Sequence, residues 1–270
     1  MLMRSCAAFA PLKIGVPVVS ICCDSPDAVF QIMDISSALF ECSAPSLDEC
    51  PDESLPEFAF IGRSNVGKSS LLNILAGKDG LARVSPTPGF TKLINFFTMN
   101  KTWRLVDLPG YGFAAGAKKD SERFNKAVAN YLKHRTNLCS VFALIDSTLS
   151  PQEIDIEFLE WLTRNEVPYV IVFTKSDKVS ATGAQANIAA FMERISTWFE
   201  KPPATFTCSA ETGQGRGELL GVVDELLKAI DSQAGQTEAV EGVNKDAPIK
   251  TLKVRERENK KRRPDLNRPW

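Results

Sequence analysis

Histidine occurs once in these 270 residues, and the seven cysteines include no CxxC pair. A zinc centre built from Cys and His is therefore not expected. The single histidine, His134 in "YLKHRTN", has no nucleophile beside it and reads as a surface residue near a helix end. The cysteines Cys6, Cys22, Cys23, Cys42, Cys50, Cys139 and Cys208 are odd in number, which argues against a disulfide scaffold and for a reducing compartment. No apolar run approaches the roughly 20 residues that span a bilayer, so no membrane partner is expected. Charge of neither sign is in overall excess, with a net charge of -1. The balance conceals an acidic stretch at 24–53 and a basic one at 250–268.

What is present is alternation. "FAFI" (58–61), "INFFTM" (94–99), "WRLVDL" (103–108), "VFALID" (141–146), "YVIVFT" (169–174) and "ATFTCSA" (204–210) read as strands, several apolar throughout and hence buried on both faces. Helical patterns lie between them near 68–76, 119–135, 152–165, 185–199 and 216–230. This order predicts a three-layer α/β fold with a mostly parallel sheet and ligand loops at the carboxyl ends of its strands. Only "NKT" separates "INFFTM" from "WRLVDL", too short for a crossover, so these strands form an antiparallel hairpin over 94–108. Residues 1–37 are expected to be an extension, 38–231 the domain, and 232–270 a polar linker with a basic tail. Within the extension, residues 1–32 fit neither a clean secretory signal nor a typical presequence; a disordered extension, an upstream start and an organellar transit peptide all stay open.

The stretch "GRSNVGKSS" follows the strand "FAFI" and precedes the helix "SSLLNILAG". GxxxxGK[ST] wraps backbone N–H groups round phosphate oxygens and points a helix dipole at the anion. Gly62, Arg63, Ser64, Asn65, Val66 and Gly67 are thus expected to line a phosphate cradle, with Lys68 reaching the β- and γ-phosphates and Ser69 binding magnesium. "DLPG" closes the next parallel strand, placing Asp107 to hold a magnesium-bound water and the Gly110 N–H to meet the γ-phosphate; Lys68, Asp107 and Gly110 are the catalytic candidates. "SPTPGFTK" between them contains Thr87 and Thr91, either of which can sense the γ-phosphate through magnesium. "TKSD" ends a later strand: the Asp177 carboxylate can accept from guanine N1–H and the 2-amino group, while adenine offers neither donor. The Lys175 stem would lie over the base, and a backbone N–H near Ser209 or Ala210 can meet the guanine oxygen. An ATPase is disfavoured by Asp177.

"LPEFAFIGRSNVGKSSLLN", "TPGFTKLINFF", "LVDLPGYGFA", "TKSDK" and "SAETGQGRGELL" together resemble the EngB (YsxC/YihA) family of translation-factor-class GTPases, from about Phe40 to Ile230. The joint occurrence of "TPGFTKLINFF" and "DLPGYGFA" is the most specific element. The resemblance implies a magnesium-dependent GTPase that binds GTP and GDP, acts in large ribosomal subunit assembly and is linked to division and septation. It assigns magnesium to Ser69 and Thr91, and switch contacts to Gly89, Phe90, Thr91, Lys92 and Leu93 and to Asp107, Leu108, Pro109 and Gly110. Guanine binding falls to Thr174, Lys175, Ser176 and Asp177 and to Cys208, Ser209 and Ala210. A cytoplasmic monomer is the expectation, with a mitochondrion or plastid as the alternative if residues 1–32 are a transit peptide.

Tyr111 follows Gly110 where Ras-like GTPases carry a water-orienting glutamine, which predicts slow intrinsic hydrolysis. Asn65 either binds a potassium ion that supplies charge to the phosphates or only stabilises the loop, and the sequence leaves both open. Phe90, Phe96, Phe97, Trp103 and Phe113 could stack bases, but sheet core is the commoner fate for the strand members Phe96, Phe97 and Trp103, and Phe113 better suits a partner contact. Lys118, Lys119, Arg123, Lys126 and the tail "KVRERENKKRRPDLNRPW" are candidates for contact with ribosomal RNA. Two other classes remain: a division regulator that binds another protein and has no direct ribosomal role, and a nucleotide-binding module without useful hydrolysis.

Overall fold

The apolar runs become strands of one sheet. The computed structural model describes residues 33–82, 93–111, 118–199 and 203–240, with the side chains of 118–124 and 233–240 excepted. Among these residues the elements are β1 (Ala38–Ala44), β2 (Glu57–Gly62), α1 (Lys68–Ala76), β3 (Ile94–Met99), β4 (Trp103–Asp107), α2 (Lys118–His134), β5 (Leu138–Asp146), α3 (Glu153–Arg164), β6 (Tyr169–Thr174), α4 (Ala181–Ile195), β7 (Thr205–Thr207) and α5 (Arg216–Val240). The strand order is β1-β3-β4-β2-β5-β6-β7. Only β3 runs against its neighbours, pairing antiparallel with β1 and β4, while β4, β2, β5, β6 and β7 are joined by parallel pairs. The expected hairpin is present, reversing at Asn100 and Lys101 with φ of 50° and 61°.

The sheet separates two apolar layers, as strands apolar on both faces require. Phe58 and Phe60 of β2 face α1 and α5, packing with Leu72, Leu75, Leu219 and Val223. Ala59 and Ile61, the alternate residues, face α2, α3 and α4 with Leu132, Phe158 and Phe191. The Phe60 and Phe142 rings stack at 4.5 Å, and Phe58 meets Trp103 edge-on at 5.5 Å. Burial of each such ring contributes about 1.5–3 kcal/mol. Phe96, Phe97 and Trp103 are in this core, as expected, and His134 is exposed at the end of α2.

β1 is not announced by the sequence pattern. Its Leu39 and Phe40 are exposed, and its register shifts between Phe40 and Cys42. Its place is fixed by β3 and by Asn100, whose Oδ1 accepts from the N–H groups of Ser36 (2.9 Å) and Ser37 (3.2 Å) and whose Nδ2 donates to Asp34 O (2.7 Å). α4 begins at Ala181, earlier than its periodicity suggests, because Ser180 caps it: Oγ accepts from Gly183 N at 3.2 Å. α5 continues to Val240, past the end of the apolar repeat at Ile230.

At the amino ends of the parallel strands, Glu57 is fully buried. Its carboxylate accepts from Arg135 Nε (2.9 Å) and Nη2 (2.6 Å) and from Tyr131 Oη (2.8 Å). The fixed guanidinium fork matches a carboxylate in two places, so the charge is buried with its partners in hand.

Candidate functional site

At the opposite, carboxyl ends of the strands the chain leaves β2 through Gly62, Arg63, Ser64, Asn65, Val66 and Gly67 and enters α1. Gly67 has φ 101°, a left-handed conformation that favours glycine, and it starts the helix. Asn65 is also left-handed, at φ 64°, and is exposed. Val66 is buried in the core and anchors the loop from below. Its carbonyl accepts from Thr174 Oγ1 at 2.6 Å, so the end of β6 holds the loop. Lys68 is 8% exposed and ion-paired with Asp107, whose other oxygen accepts from Asn95 Nδ2 at 3.3 Å. The half-buried Ser69 hydroxyl has no hydrogen-bond partner among the described residues and lies in the first turn of α1.

After β4 the chain turns over the same loop. Leu108 sends its side chain into the core and its N–H to Phe60 O at 3.0 Å. Pro109 is buried as well. Gly110 abuts the loop: a Cβ there would lie 2.9 Å from Gly62 O and 3.3 Å from Ser64 N, a space closed to any side chain. Tyr111 is 1% exposed, with its ring tilted 31° against Phe158 at 4.5 Å and its hydroxyl donating to Asp155 Oδ1 at 3.0 Å. It points into the core and cannot orient a water above the loop.

The "TKSD" turn sits beside the phosphate loop. Lys175 is left-handed at φ 61°, and its stem passes 4.0 Å from the position a Cβ on Gly67 would take. Its ammonium donates to Asp146 Oδ2 at 2.6 Å, and Asp146 Oδ1 accepts from Thr148 N (3.0 Å) and Oγ1 (2.7 Å). Burial works to raise the Asp146 pKa, but the hydrogen bonds from Lys175 and Thr148 outweigh it and keep the carboxyl below its usual range. A hydrogen bond from Ser209 lowers the pKa of Asp177, which favours the charged acceptor form. Ser176 N donates to Cys208 O at 3.3 Å, drawing the two loops together. Cys208 N and Ser209 N are committed to Phe173 O (2.8 Å) and Gln214 O (3.1 Å), whereas the Ala210 N–H has no partner among the described residues. The Cys208 thiol is in the core, where burial pushes its pKa up to about 12.

The structure therefore gathers residues 62–69, 107–110, 174–177 and 208–210 at the carboxyl ends of the parallel strands, with Leu93 exposed at the entry to β3. Thr87, Gly89, Phe90, Thr91, Lys92 and Phe113 lie outside the described residues, as do the side chains of Lys118, Lys119 and Arg123, residues 1–32 and the basic tail. Asp146 and Asp155 were missed by sequence reasoning. Asp146 carried a usable signal, a lone carboxylate ending an apolar strand as Asp107 does. Asp155 carried none, because its partners are 44 residues away or more.

This is the architecture of a P-loop GTPase, and the family model of 50S ribosome-binding GTPases matches residues 57–175. A probable GTP-binding protein EngB of Bacteroides fragilis (strain YCH46) is 44% identical over 201 residues, 74% of this chain and 100% of that protein. Its counterpart in Porphyromonas gingivalis (strain ATCC 33277) is 47% identical over 195 residues, 72% and 96% of the two chains. The chain belongs to the EngB family of GTP-binding proteins and is a GTPase. A crystal structure of a probable GTP-binding protein EngB agrees in fold, with TM-score 0.51 and 25% identity over 64% of this chain and 98% of that one.

Proposed function

We propose that this protein hydrolyses GTP to GDP and phosphate as a switch in large ribosomal subunit assembly, and that normal division and septation depend on it. The observation that carries the reading is the gathering of Lys68, Asp107 and the "TKSD" turn at the carboxyl ends of the parallel strands in a chain matched by a family of 50S ribosome-binding GTPases. The domain at 38–231 carries the chemistry, and the basic tail and the basic residues Lys118, Lys119, Arg123 and Lys126 contact ribosomal RNA. A cytoplasmic monomer fits this role.

In this reading the backbone of 62–67 cradles the phosphates and Lys68 neutralises the β- and γ-oxygens. The Gly110 N–H meets the γ-phosphate, Asp177 accepts from guanine, the Lys175 stem covers the base, and the Ala210 N–H meets the guanine oxygen. A magnesium ion suits the donor set: the Ser69 hydroxyl has no partner among the described residues, Asp107 can hold a bound water, and Thr91 would complete the shell. Bound there, the ion supplies positive charge to the phosphate oxygens. Asn65, exposed at the loop's crest, supports a potassium ion as an additional charge. With Tyr111 in the core, no side chain at that position orients the attacking water, so intrinsic hydrolysis is slow and the ribosomal particle completes the site.

The test is GTP hydrolysis in potassium and magnesium buffer with and without large ribosomal subunits. A slow basal rate that rises with the particle is expected. A rate indifferent to the particle, with guanine nucleotide still bound, would turn the search to a protein partner in division. Equal rates in potassium and sodium would remove the second ion.

A further inference from the structure

Asp155 is a buried carboxylate to which phosphate and guanine recognition give no work. It lies in the first turn of α3 and is 2% exposed. Its Oδ1 accepts from the Tyr111 hydroxyl at 3.0 Å and lies 3.4 Å from Arg63 Nε. That Nε is buried and makes no hydrogen bond among the described residues, so a small inward shift would complete one. One oxygen of α3 thus faces a donor from each of two segments: Arg63 follows Gly62 of the phosphate loop, and Tyr111 follows Gly110.

The backbones of those segments are laced together as well. Tyr111 N donates to Gly62 O at 3.3 Å and Ser64 N to Tyr111 O at 3.4 Å, forming a parallel bridge between Arg63 and Tyr111. This bridge is what presses Gly110 against the loop. The ring contact of Tyr111 with Phe158 is apolar, while its hydroxyl reaches Asp155. A hydroxyl and a carboxylate buried together are costly unless they are paired, so this trio has one favoured arrangement.

We infer that Asp155 is a positioning residue for the γ-phosphate contact: by tying Tyr111 and Arg63 to α3 it holds the Gly110 N–H over the phosphate loop and so favours GTP over GDP. The inference rests on Gly110 being the γ-phosphate contact. It carries a pH dependence. Burial pushes the Asp155 pKa up to about 6, with Arg63 and the Tyr111 hydroxyl acting to lower it and Asp146 at the end of β5 to raise it. On its own helix Glu153 is engaged by Arg194 of α4 at 2.8 Å. A proton on Asp155 removes the charge that faces Arg63 and loosens the tie.

The experiment measures affinities for GDP and for a non-hydrolysable GTP analogue between about pH 5.5 and 8, the range spanning this titration, in the wild type, Asp155→Asn and Tyr111→Phe. Asn keeps the shape and an oxygen for the phenol but has no charge for Arg63; Phe removes only the hydroxyl. At the alkaline end each variant should bind the analogue about tenfold more weakly, the factor that ~1.4 kcal/mol supplies, with GDP changed less than about twofold, under ~0.5 kcal/mol. The wild type should lose its analogue preference as pH falls, more steeply than Asp155→Asn. The γ-phosphate itself titrates in this range, but equally for both proteins, so their difference isolates the carboxylate. Equal losses for both nucleotides would reveal a merely structural role and overturn the inference, as would an unchanged analogue affinity. Gly110→Ala separates the two premises. If it leaves the analogue-to-GDP ratio untouched, the γ-phosphate contact itself is misassigned; if it lowers the ratio while Asp155→Asn does not, only the role of Asp155 falls.

Discussion

Lys68, the first residue of α1, is ion-paired with Asp107, the last residue of β4, and both side chains are almost fully buried. In the proposed function, phosphate competes with this carboxylate for the ammonium. Asp107→Asn should therefore tighten magnesium-free GDP binding about fivefold, ~1 kcal/mol, while slowing hydrolysis on the order of 10²-fold. Equilibrium titration in chelator and single-turnover hydrolysis read the two effects, and weaker magnesium-free binding would contradict the competition.

Thr174 occupies the first position of "TKSD", and its hydroxyl donates to Val66 O rather than projecting toward a base. Thr174→Val leaves that carbonyl unpaired at a cost of about 1 kcal/mol. Binding of GDP and of a GTP analogue should fall together by about fivefold, with the preference for guanine over adenine intact. A change confined to base preference would show that the hydroxyl touches the ligand instead.

In the proposed function, base choice depends on Asp177. Asp177→Asn replaces an acceptor by an amide that offers a donor, mismatched to the 2-amino group of guanine but matched to the 2-oxo group of xanthine. Affinity for GTP should drop on the order of 10²-fold and that for xanthosine triphosphate should rise. Competition binding with the two nucleotides decides it.

The strands from β2 to β6 and the phosphate loop were legible because their signals are local: unbroken apolar runs, paired glycines, and carboxylates ending strands. β1 was not. Its exposed Leu39 and Phe40 and its bulge blur any alternation, and its position depends on Asn100 more than 60 residues on. The early start of α4 rests on the Ser180 cap, which was readable but lay outside the apolar repeat. At the site, the residue types at the strand ends were readable, whereas the support given by Thr174, Asp146 and Asp155 arises only when distant segments meet. Tyr111 illustrates the division. Its unsuitability for orienting water followed from its chemistry, but its burial on Phe158 did not.

Asp155 also predicts how stability varies with pH. Its pKa is about 6 in the folded chain against an ordinary 3.8, so the folded state holds the proton more tightly than the unfolded state. Stability then falls as pH rises from about 4 to about 6 and levels off above, by up to about 3 kcal/mol at 1.36 kcal/mol per unit. Asp155→Asn lacks this loss. It should melt above the wild type at pH 8, and the gap should close toward pH 4. Thermal melts across that range test the sign, and a variant less stable at pH 8 would reverse it.

Glu57 and Arg135 sit at the far end of the same strands, about as distant from the nucleotide loops as the sheet allows. The domain is in effect a cantilever: the sheet is bolted at one end by a saturated polar joint, while the other end carries loops whose hydrogen bonds reach across to one another in ones and twos. In the proposed function, load applied at the free end by a phosphate arriving or leaving is taken up in those loops before it reaches the bolt. A chain built this way can change its working surface many times without risking its fold.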